Sequence, residues 1–364
     1  MKFSKYNFLK ISKLQDNLET IDLLEEANFV KKVSTGSYVY LHLMQKIVNK
    51  INNLVREKLN NANCLEIALT QLQSAKLWKE TSRYAVYGDE MFHFKDRKSN
   101  DMILAGTNEE QITKIASEML KSYKDMNVTF YNISNKFRDE LRCYNGLERC
   151  KEFIMMDAYS FHDTLDNLKI EYANIRNAYI EIFETLGLKY EIKASDSGEI
   201  GGSLSEEFII NGIEVGHIFQ LEDKYSKALN AKYVDADNSS KYMQMGCYGI
   251  GISRLIQVMA DSFRDKNFLN WGKFSSYDIG IVIADVSNEV QRKFAEKIYD
   301  TLKKKNYDVY LDDREMKLGA KLFEIDTIGT CHKIIVGKSA ADEILEIKKE
   351  TWCKISLQDL ITDF

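Results

Sequence analysis

Two apolar, strand-like runs, Phe130–Glu140 and Glu152–Phe161, bracket a polar loop from Arg142 to Lys151. Runs this close in sequence pair as an antiparallel hairpin, and the rest of the chain must build a sheet around it. The first run ends in Phe137-Arg138-Asp139-Glu140, and the second opens with Glu152-Phe153-Ile154-Met155. Such teeth suit a nucleoside triphosphate. Arginine can bridge a phosphate bidentately, which lysine cannot do. A glutamate accepts from an exocyclic amine, and a phenylalanine stacks on a base. Taken alone, the charged tetrapeptide reads as a surface hairpin with ion pairs; its neighbours turn the reading towards a ligand.

Apolar spacing predicts helices over residues 14–27 and 43–59, the latter from Leu43, Ile47, Ile51, Leu54, Val55 and Leu59. A Gly-containing turn and short strand fall at 31–41, and a strand at 66–69. Tyr84, Tyr87, Phe92 and Phe94 alternate partly with polar residues, which predicts strand. Thr107 with Glu110 three residues on reads as a capping box for a helix over 112–120. Glu109 is not needed for that cap, so its carboxylate can hold a ligand ammonium group. A long amphipathic helix follows at 163–186, then strands at 189–194 and 215–221, with a Gly/Ser turn at 196–203. In the run from Met245 to Arg254, glycines 246, 249 and 251 precede an arginine that opens a helix. Glycines let a backbone approach a ligand, and a helix start favours an anion. The same pattern equally serves close strand–helix packing.

Residues 263–276 read as a polar connector. Beyond it the pattern becomes strand 279–283, helix 288–304, strand 307–311, helix 317–328 and strand 333–336, a parallel βαβαβ arrangement. Asp312, Asp313 and Arg314 stand at the C-terminal end of its second strand, where open α/β sheets bind ligands.

At 364 residues the chain has room for two or three domains. Its net charge of −5 argues against general coating of nucleic acid and leaves room for a local basic face. No run approaches the ~20 apolar residues that span a bilayer, and the first residues lack the apolar core of a signal peptide. The six cysteines form no CxxC pair, which predicts reduced thiols in a cytosolic protein, and Cys143 and Cys150 match no zinc pattern. Proline is absent, where an average of about 5% predicts roughly 18.

With these segments on the page, the chain resembles the prolyl-tRNA synthetases of the bacterial class II type. The likeness rests on GTNEE at 106–110, NKFRDE at 135–140, KEFIMMDAYSFH at 151–162, IGGSLSEEF at 200–208, EVGHIFQL at 214–221, MGCYGIGISR at 245–254 and LDDRE at 311–315. They occur in the family's order and run nearly end to end. The resemblance implies an α+β class II catalytic domain, an antiparallel sheet with helices, over 1–262. Its motif 1 falls near 45–72, motif 2 near 130–162 and motif 3 near 243–262. A connector at 263–276 and an α/β anticodon-binding domain over 277–364 follow.

The implied reaction joins proline to ATP as prolyl-adenylate and passes the prolyl group to the 3′ end of proline tRNA. Such chemistry is largely positioning and charge neutralisation. Carried over by position, Arg138 holds the α-phosphate, Glu140 the adenine amine, and Phe153 stacks on adenine. Arg149 and Arg254 neutralise the β- and γ-phosphates, and Gln220 faces the ribose or the amino-acid pocket. Thr107 and Glu109 hold proline's imino group; Phe161, His162 and His217 wall its pocket, with Gly246 and Cys247 near the floor. Arg138 and Arg254 are the expected catalytic residues, and Asp312, Asp313 and Arg314 the expected anticodon region. The resemblance also implies Mg²⁺ carried mainly by the phosphates, a homodimer, a cytoplasmic location and no membrane. A non-catalytic tRNA-binding or amino-acid-sensing paralogue is the rival reading. Retention of Arg138, Glu140 and Arg254 favours the enzyme. An adenylating enzyme with a non-tRNA acceptor is disfavoured by the C-terminal domain.

Two departures from the family pattern matter. Between Phe208 and Gly212, where the common bacterial enzymes carry an editing insertion, only Ile209, Ile210 and Asn211 intervene. The family's prolines are replaced by His42, Thr70, Asp89, Asp101, Gly106, Asn127, Cys143, Leu318 and Cys331. Asn108 also stands for a usual histidine, and Tyr144 for a usual loop arginine. Loss of a compatible proline costs ~0.4–1 kcal/mol through the unfolded state. A proline-free synthetase can be translated without prolyl-tRNA; the hypothesis is that proline was removed deliberately or by selection, and the rival is composition drift in a reduced genome. Restoring proline at 106 and 143 and measuring activity tests this: a large gain means that supply, not function, forced the substitutions.

Overall fold

The computed structural model describes residues 1–6, 10–11, 14, 17–198, 200–348 and 351–364. The chain forms two compact units that do not follow chain order. One comprises Lys32–Tyr38 and Ile51–Val258; the other joins Met1–Lys31 and Val39–Lys50 to Met259–Phe364.

The first of these units is built on a seven-stranded sheet. Its strands are β1 (Leu65–Glu66), β2 (Val128–Phe137), β3 (Glu152–His162), β4 (Glu191–Ala194), β5 (Leu204–Ile210), β6 (Ile213–Glu222) and β7 (Gln244–Gly251). Their spatial order is β1-β2-β3-β7-β6-β5-β4. Only the short edge strand β1 pairs in parallel, with β2; the other pairs are antiparallel. The hairpin expected from the sequence is β2–β3, in register from Val128 opposite Phe161 to Phe137 opposite Glu152. Beside the sheet lie α1 (Glu109–Met119), the amphipathic α2 (Leu165–Thr185), and α3 (Ile252–Phe263), which follows β7 directly. The periodic apolar residues of helix His42–Asn61 are buried, as their spacing predicts.

The β5–β6 hairpin is closed by Asn211 and Gly212 alone, with Ile210 opposite Ile213. Both turn residues have positive φ, 52° and 82°. That is the type I′ geometry for which Asn-Gly is the favoured pair, because its twist matches that of the strands.

In the other unit a five-stranded sheet comprises β8 (Ile279–Ile283), β9 (Val309–Asp312), β10 (His332–Val336), β11 (Ile344–Lys348) and β12 (Trp352–Ser356), in the order β9-β8-β10-β11-β12. The first three are parallel, joined through α4 (Glu289–Lys304) and α5 (Leu318–Thr327). Asn288 caps α4 by accepting from the amides of Val290 and Gln291. Two antiparallel strands and a last helix, Leu357–Asp363, extend the expected βαβαβ pattern. Within the 263–276 connector, Leu269, Trp271 and Phe274 are buried and Trp271 packs on Phe29, so this stretch is folded rather than loose.

Local expectations fail in three places. Tyr84 and Tyr87 sit on a short helix, Arg83–Tyr87, not a strand. Its two tyrosines, Tyr84 and Tyr87, pack against the cluster of Ala75, Trp78, Met91 and Ile103. The early helix is confined to Thr20–Glu26; Gln15 and Asp16 of the expected span lie outside the described residues, as does Glu199 of the Gly/Ser turn. No capping box forms at Thr107: α1 starts at Glu109 with Asn108 as its N-cap, and no side chain caps it. Thr107 and Glu110 are engaged elsewhere, as the site shows.

Candidate functional site

A cleft opens on one face of the seven-stranded sheet. It is walled by the loop between β2 and β3, by β6 and β7, and by the start of α1. At one end lies a buried acid. Glu109 is fully buried. Its Oε2 accepts from Thr107 Oγ1 at 2.6 Å and from Arg83 Nη1 at 3.0 Å. Its Oε1 accepts from a weak thiol donor, Cys247 Sγ, at 3.3 Å. Burial acts to raise the Glu109 pKa, but Arg83, Thr107 and the helix-start amide outweigh it and hold the carboxyl below its ordinary value. Glu110 receives the same Arg83 Nη1 at 3.1 Å and Thr81 Oγ1 at 3.0 Å. There burial wins, and the carboxyl is pushed up.

At the other end the cleft is cationic. Arg138 lies just past the end of β2, over the Phe153 ring at 5.3 Å, with its Nε buried and unpartnered. Arg149 donates from Nε to Glu140 Oε2 at 2.7 Å. Arg254, in the first turn of α3, donates to the Glu148 carbonyl at 2.9 Å and the Glu214 carbonyl at 2.6 Å. His217 stacks on Phe219 with ring centres 3.9 Å apart and contacts Glu214 Oε1 through Nδ1 at 3.1 Å. Burial acts to raise the Glu214 pKa, and the charges of His217, Arg254 and Arg138 carry it below the ordinary range. The lining thus combines three arginines with the buried Glu109 and with the carboxylates of Glu140, Glu148 and Glu214.

Thr107, Glu109, Arg138, Glu140, Arg149, Phe153, His217, Cys247 and Arg254 all line this cleft. Phe161, His162, Gln220 and Gly246 are not among its described lining residues. Phe161 sits in the core with Phe130 and Tyr159. His162 is buried with Nδ1 on Asn127 Oδ1 at 3.1 Å. Gln220 is buried on β6. A Cβ at Gly246 would meet the Tyr248 hydroxyl at 2.3 Å, so this glycine serves tight packing within the sheet, while Gly249 and Gly251 reach the cleft. The glycine run thus does both of the things its pattern allows. Strand alternation places His162, Gln220 and Gly246 on the face away from the cleft, whereas Phe161 shares the face of Phe153, Met155 and Asp157 and lies farther along β3, in the core.

Several residues in or behind the cleft carried no signal in the sequence. Arg83 belongs to a helix read as a strand. Asp157 lines the cleft and is held by Lys136 Nζ at 2.8 Å, Asn132 Nδ2 at 2.6 Å, Asn108 Nδ2 at 2.8 Å and the Tyr159 hydroxyl at 2.8 Å. Alternation on β2 and β3 places Lys136, Asn132 and Asp157 at these positions, but nothing in the pattern says that a lysine there is fully buried. In the other unit, Asp312 and Arg314 are buried rather than displayed. Arg314 binds Asp312 through Nε and Nη2 at 2.9 and 2.6 Å and reaches Glu324 at 2.6 Å. Asp313, half-buried, accepts from Ser4 at 2.7 Å.

Two family patterns match the chain. The "tRNA synthetase class II core domain (G, H, P, S and T)" covers residues 92–263, and the "Anticodon binding domain" covers 280–361. A "Proline--tRNA ligase" of Ehrlichia canis is 35% identical over 382 residues, spanning 89% of this chain and 89% of that protein. The chain belongs to the prolyl-tRNA synthetase family. The "Proline--tRNA ligase" of Bartonella henselae is 33% identical and covers 98% of this chain and 97% of that one. The fold agrees. A Giardia lamblia prolyl-tRNA synthetase, solved with prolyl-adenylate, superposes with a TM-score of 0.86 at 19% identity over 95% of this chain and 78% of that one. One from Cryptosporidium parvum, solved with L-proline and AMP, gives 0.85 at 15% identity over 97% and 76%. The class II core followed by an anticodon-binding domain is the architecture expected from the family resemblance. Among the described residues no helix is long and apolar enough to cross a membrane.

Proposed function

We propose that this chain activates proline with ATP and transfers the prolyl group to the 3′ end of proline tRNA. The observation that carries the reading is the make-up of one cleft: the buried Glu109, its carboxyl held below the ordinary value, lines it together with Arg138, Arg149 and Arg254. In the first step a carboxylate oxygen of proline bonds to the α-phosphorus of ATP and pyrophosphate leaves with the electron pair of the broken P–O bond. Glu109 and Thr107 hold the secondary ammonium, and His217 and Cys247 bound the ring. Arg138 meets the α-phosphate. Arg149 and Arg254 take the outer phosphates, Glu140 the adenine amine, and Phe153 its face. Phe161, His162, Gln220 and Gly246 support the site by packing. Positioning and fixed charge of this kind, in a site shielded from water, supply most of the acceleration in such reactions.

Mg²⁺ fits the donor chemistry at Glu214, a hard carboxylate oxygen beside the phosphate-binding arginines; when bound it would offset phosphate charge. The unit that holds Asp312, Asp313 and Arg314 approaches the anticodon, with Asp313 the most exposed of the three. We assign the catalytic domain to 1–262, the connector to 263–276 and the anticodon-binding domain to 277–364, working as a cytoplasmic homodimer. The two-residue turn at Asn211-Gly212 leaves no hydrolytic insertion in that hairpin, so rejection of alanine falls to the cleft or to a separate protein. Binding alone separates such small apolar differences by only about 10–200-fold.

Proline-dependent exchange of pyrophosphate into ATP, without tRNA and with alanine and cysteine as competitors, tests the reading. Strong exchange with proline is expected. No exchange from folded protein overturns it in favour of a tRNA-binding paralogue.

A further inference from the structure

Arg83 stands outside every segment that carries the family resemblance, and it is the most enclosed arginine near the cleft. Its side chain is 3% exposed. One nitrogen, Nη1, reaches Glu109 Oε2 at 3.0 Å and both oxygens of Glu110 at 3.1 and 3.2 Å. The other two nitrogens, Nε and Nη2, are buried without a hydrogen-bond partner. They are held instead among aromatic rings. The guanidinium carbon lies 5.0 Å from the centre of Trp78 and 5.5 Å from those of Tyr87 and Tyr225. A guanidinium boxed in this way has one orientation, set by ring faces rather than by hydrogen bonds.

The consequence appears on Glu109. Its two oxygens are not equivalent. Oε2 takes two strong side-chain donors, Arg83 Nη1 and Thr107 Oγ1, whereas the side-chain donor at Oε1 is the weak Cys247 thiol. An incoming N–H group therefore finds Oε1 with unused acceptor capacity and Oε2 without. Without Arg83, two adjacent buried carboxylates would face each other with no cation between them, and like charges so placed cannot both stay ionised. We propose that Arg83 is the positioning residue of amino-acid binding: it clamps Oε2 of Glu109 and so presents Oε1 to the secondary ammonium of proline. Glu110 completes the device by holding Arg83 from the far side, together with Thr81. This inference rests on the reading of the cleft as the proline site.

The test compares Arg83→Met and the double variant Arg83→Met/Glu110→Gln with the unsubstituted protein in the exchange assay. Thermal melting serves as the check of folding. The double variant removes one cation and one anion together, so it keeps the buried charge balanced where the single variant does not. A clamp predicts a proline KM raised about 100-fold in both variants, with the ATP KM within about 3-fold, because the interaction lost belongs to one substrate. Arg83→Lys should leave most of the defect in place, since an ammonium keeps the charge but neither the reach of Nη1 nor the ring contacts. If the folded double variant has a proline KM within about 3-fold of the unsubstituted protein, Arg83 only balances charge and the proposal fails. Equal changes in the proline and ATP values, or failure of both variants to fold, also overturn it in favour of a structural role. Absence of proline-dependent exchange in the unsubstituted protein is a different failure, of the cleft's assignment itself.

Discussion

Each unit of this molecule buries one arginine between two carboxylates, and the two clusters serve different ends. Arg83 with Glu109 and Glu110 lies at the cleft; Arg314 with Asp312 and Glu324 lies at the end of β9. All six side chains are at most 5% exposed. In each cluster burial raises one carboxyl, Glu110 or Glu324, more than its arginine can lower it. The difference is in how the fork is used. Arg314 spends Nε and Nη2 on both oxygens of Asp312, so the pair closes on itself. Arg83 spends one nitrogen on one oxygen of Glu109 and leaves the other oxygen to the cleft. Charge inventory and burial therefore do not tell a binding cluster from a structural one. The acceptor left open towards a cavity does.

Four experiments would break or sharpen that contrast. The largest effect should come from Arg314→Met, which strands Asp312 without its cation. Removing one partner of a buried pair costs about 3–5 kcal/mol, read as a lowered urea midpoint for that unit. Proline-dependent exchange should persist wherever the protein stays folded; a selective loss of proline binding would erase the distinction. Next is Glu109→Gln, which keeps volume and removes charge. It should lower kcat/KM for proline about 100-fold, about 2.7 kcal/mol, with little change in melting temperature. A near-normal kcat/KM would make the open cluster structural too.

The third experiment uses a buried group that belongs to neither cluster. Burial pulls the His162 imidazole down to about 4, while an unfolded histidine titrates near ~6.5. The unfolded chain therefore takes up the proton first. The stability is fully present above about 6.5 and is lost as pH falls towards about 4. Roughly 2 kcal/mol should be gone by about pH 5, and His162→Gln should flatten that part of the stability–pH curve. If the slope survives the substitution, the acid sensitivity lies in the clusters. The smallest effect is expected when Arg314, Asp312 and Glu324 are replaced together by Met, Leu and Leu. Closed buried ion clusters are often exchanged for apolar residues with no net loss of stability, so the urea midpoint should hold or rise. A large fall would mean that the cluster does more than fill space.

Much of the fold was legible along the chain. The β2–β3 hairpin, α2, α4 and the parallel strands of the C-terminal sheet follow from apolar periodicity. These signals are local, and the periods of 2 and 3.6 that carry them do not depend on distant partners. Where the reading failed, a distant partner decided. Thr107 and Glu110 have the spacing of a capping box, but a hydroxyl at Thr107 is better used on Glu109, and Glu110 on an arginine 27 positions earlier. Arg83–Tyr87 has aromatic residues that suit a strand, yet packing with Trp78 makes it helical.

Residue types at short spacing were enough for most element types, for the family and for the identities of most charged groups around the cleft. Only the tertiary structure decided which of those groups face the cavity and which lie behind it. It moved Phe161, His162, Gln220 and Gly246 off the cleft lining and Asp312 and Arg314 into the interior. It also brought Arg83, in no recognisable motif, onto the carboxylate at the cleft's floor. The physical reason is that burial and ionisation are properties of a neighbourhood. A carboxylate's charge is set by the cations and dipoles within a few ångströms, and those come from segments that the chain order keeps apart.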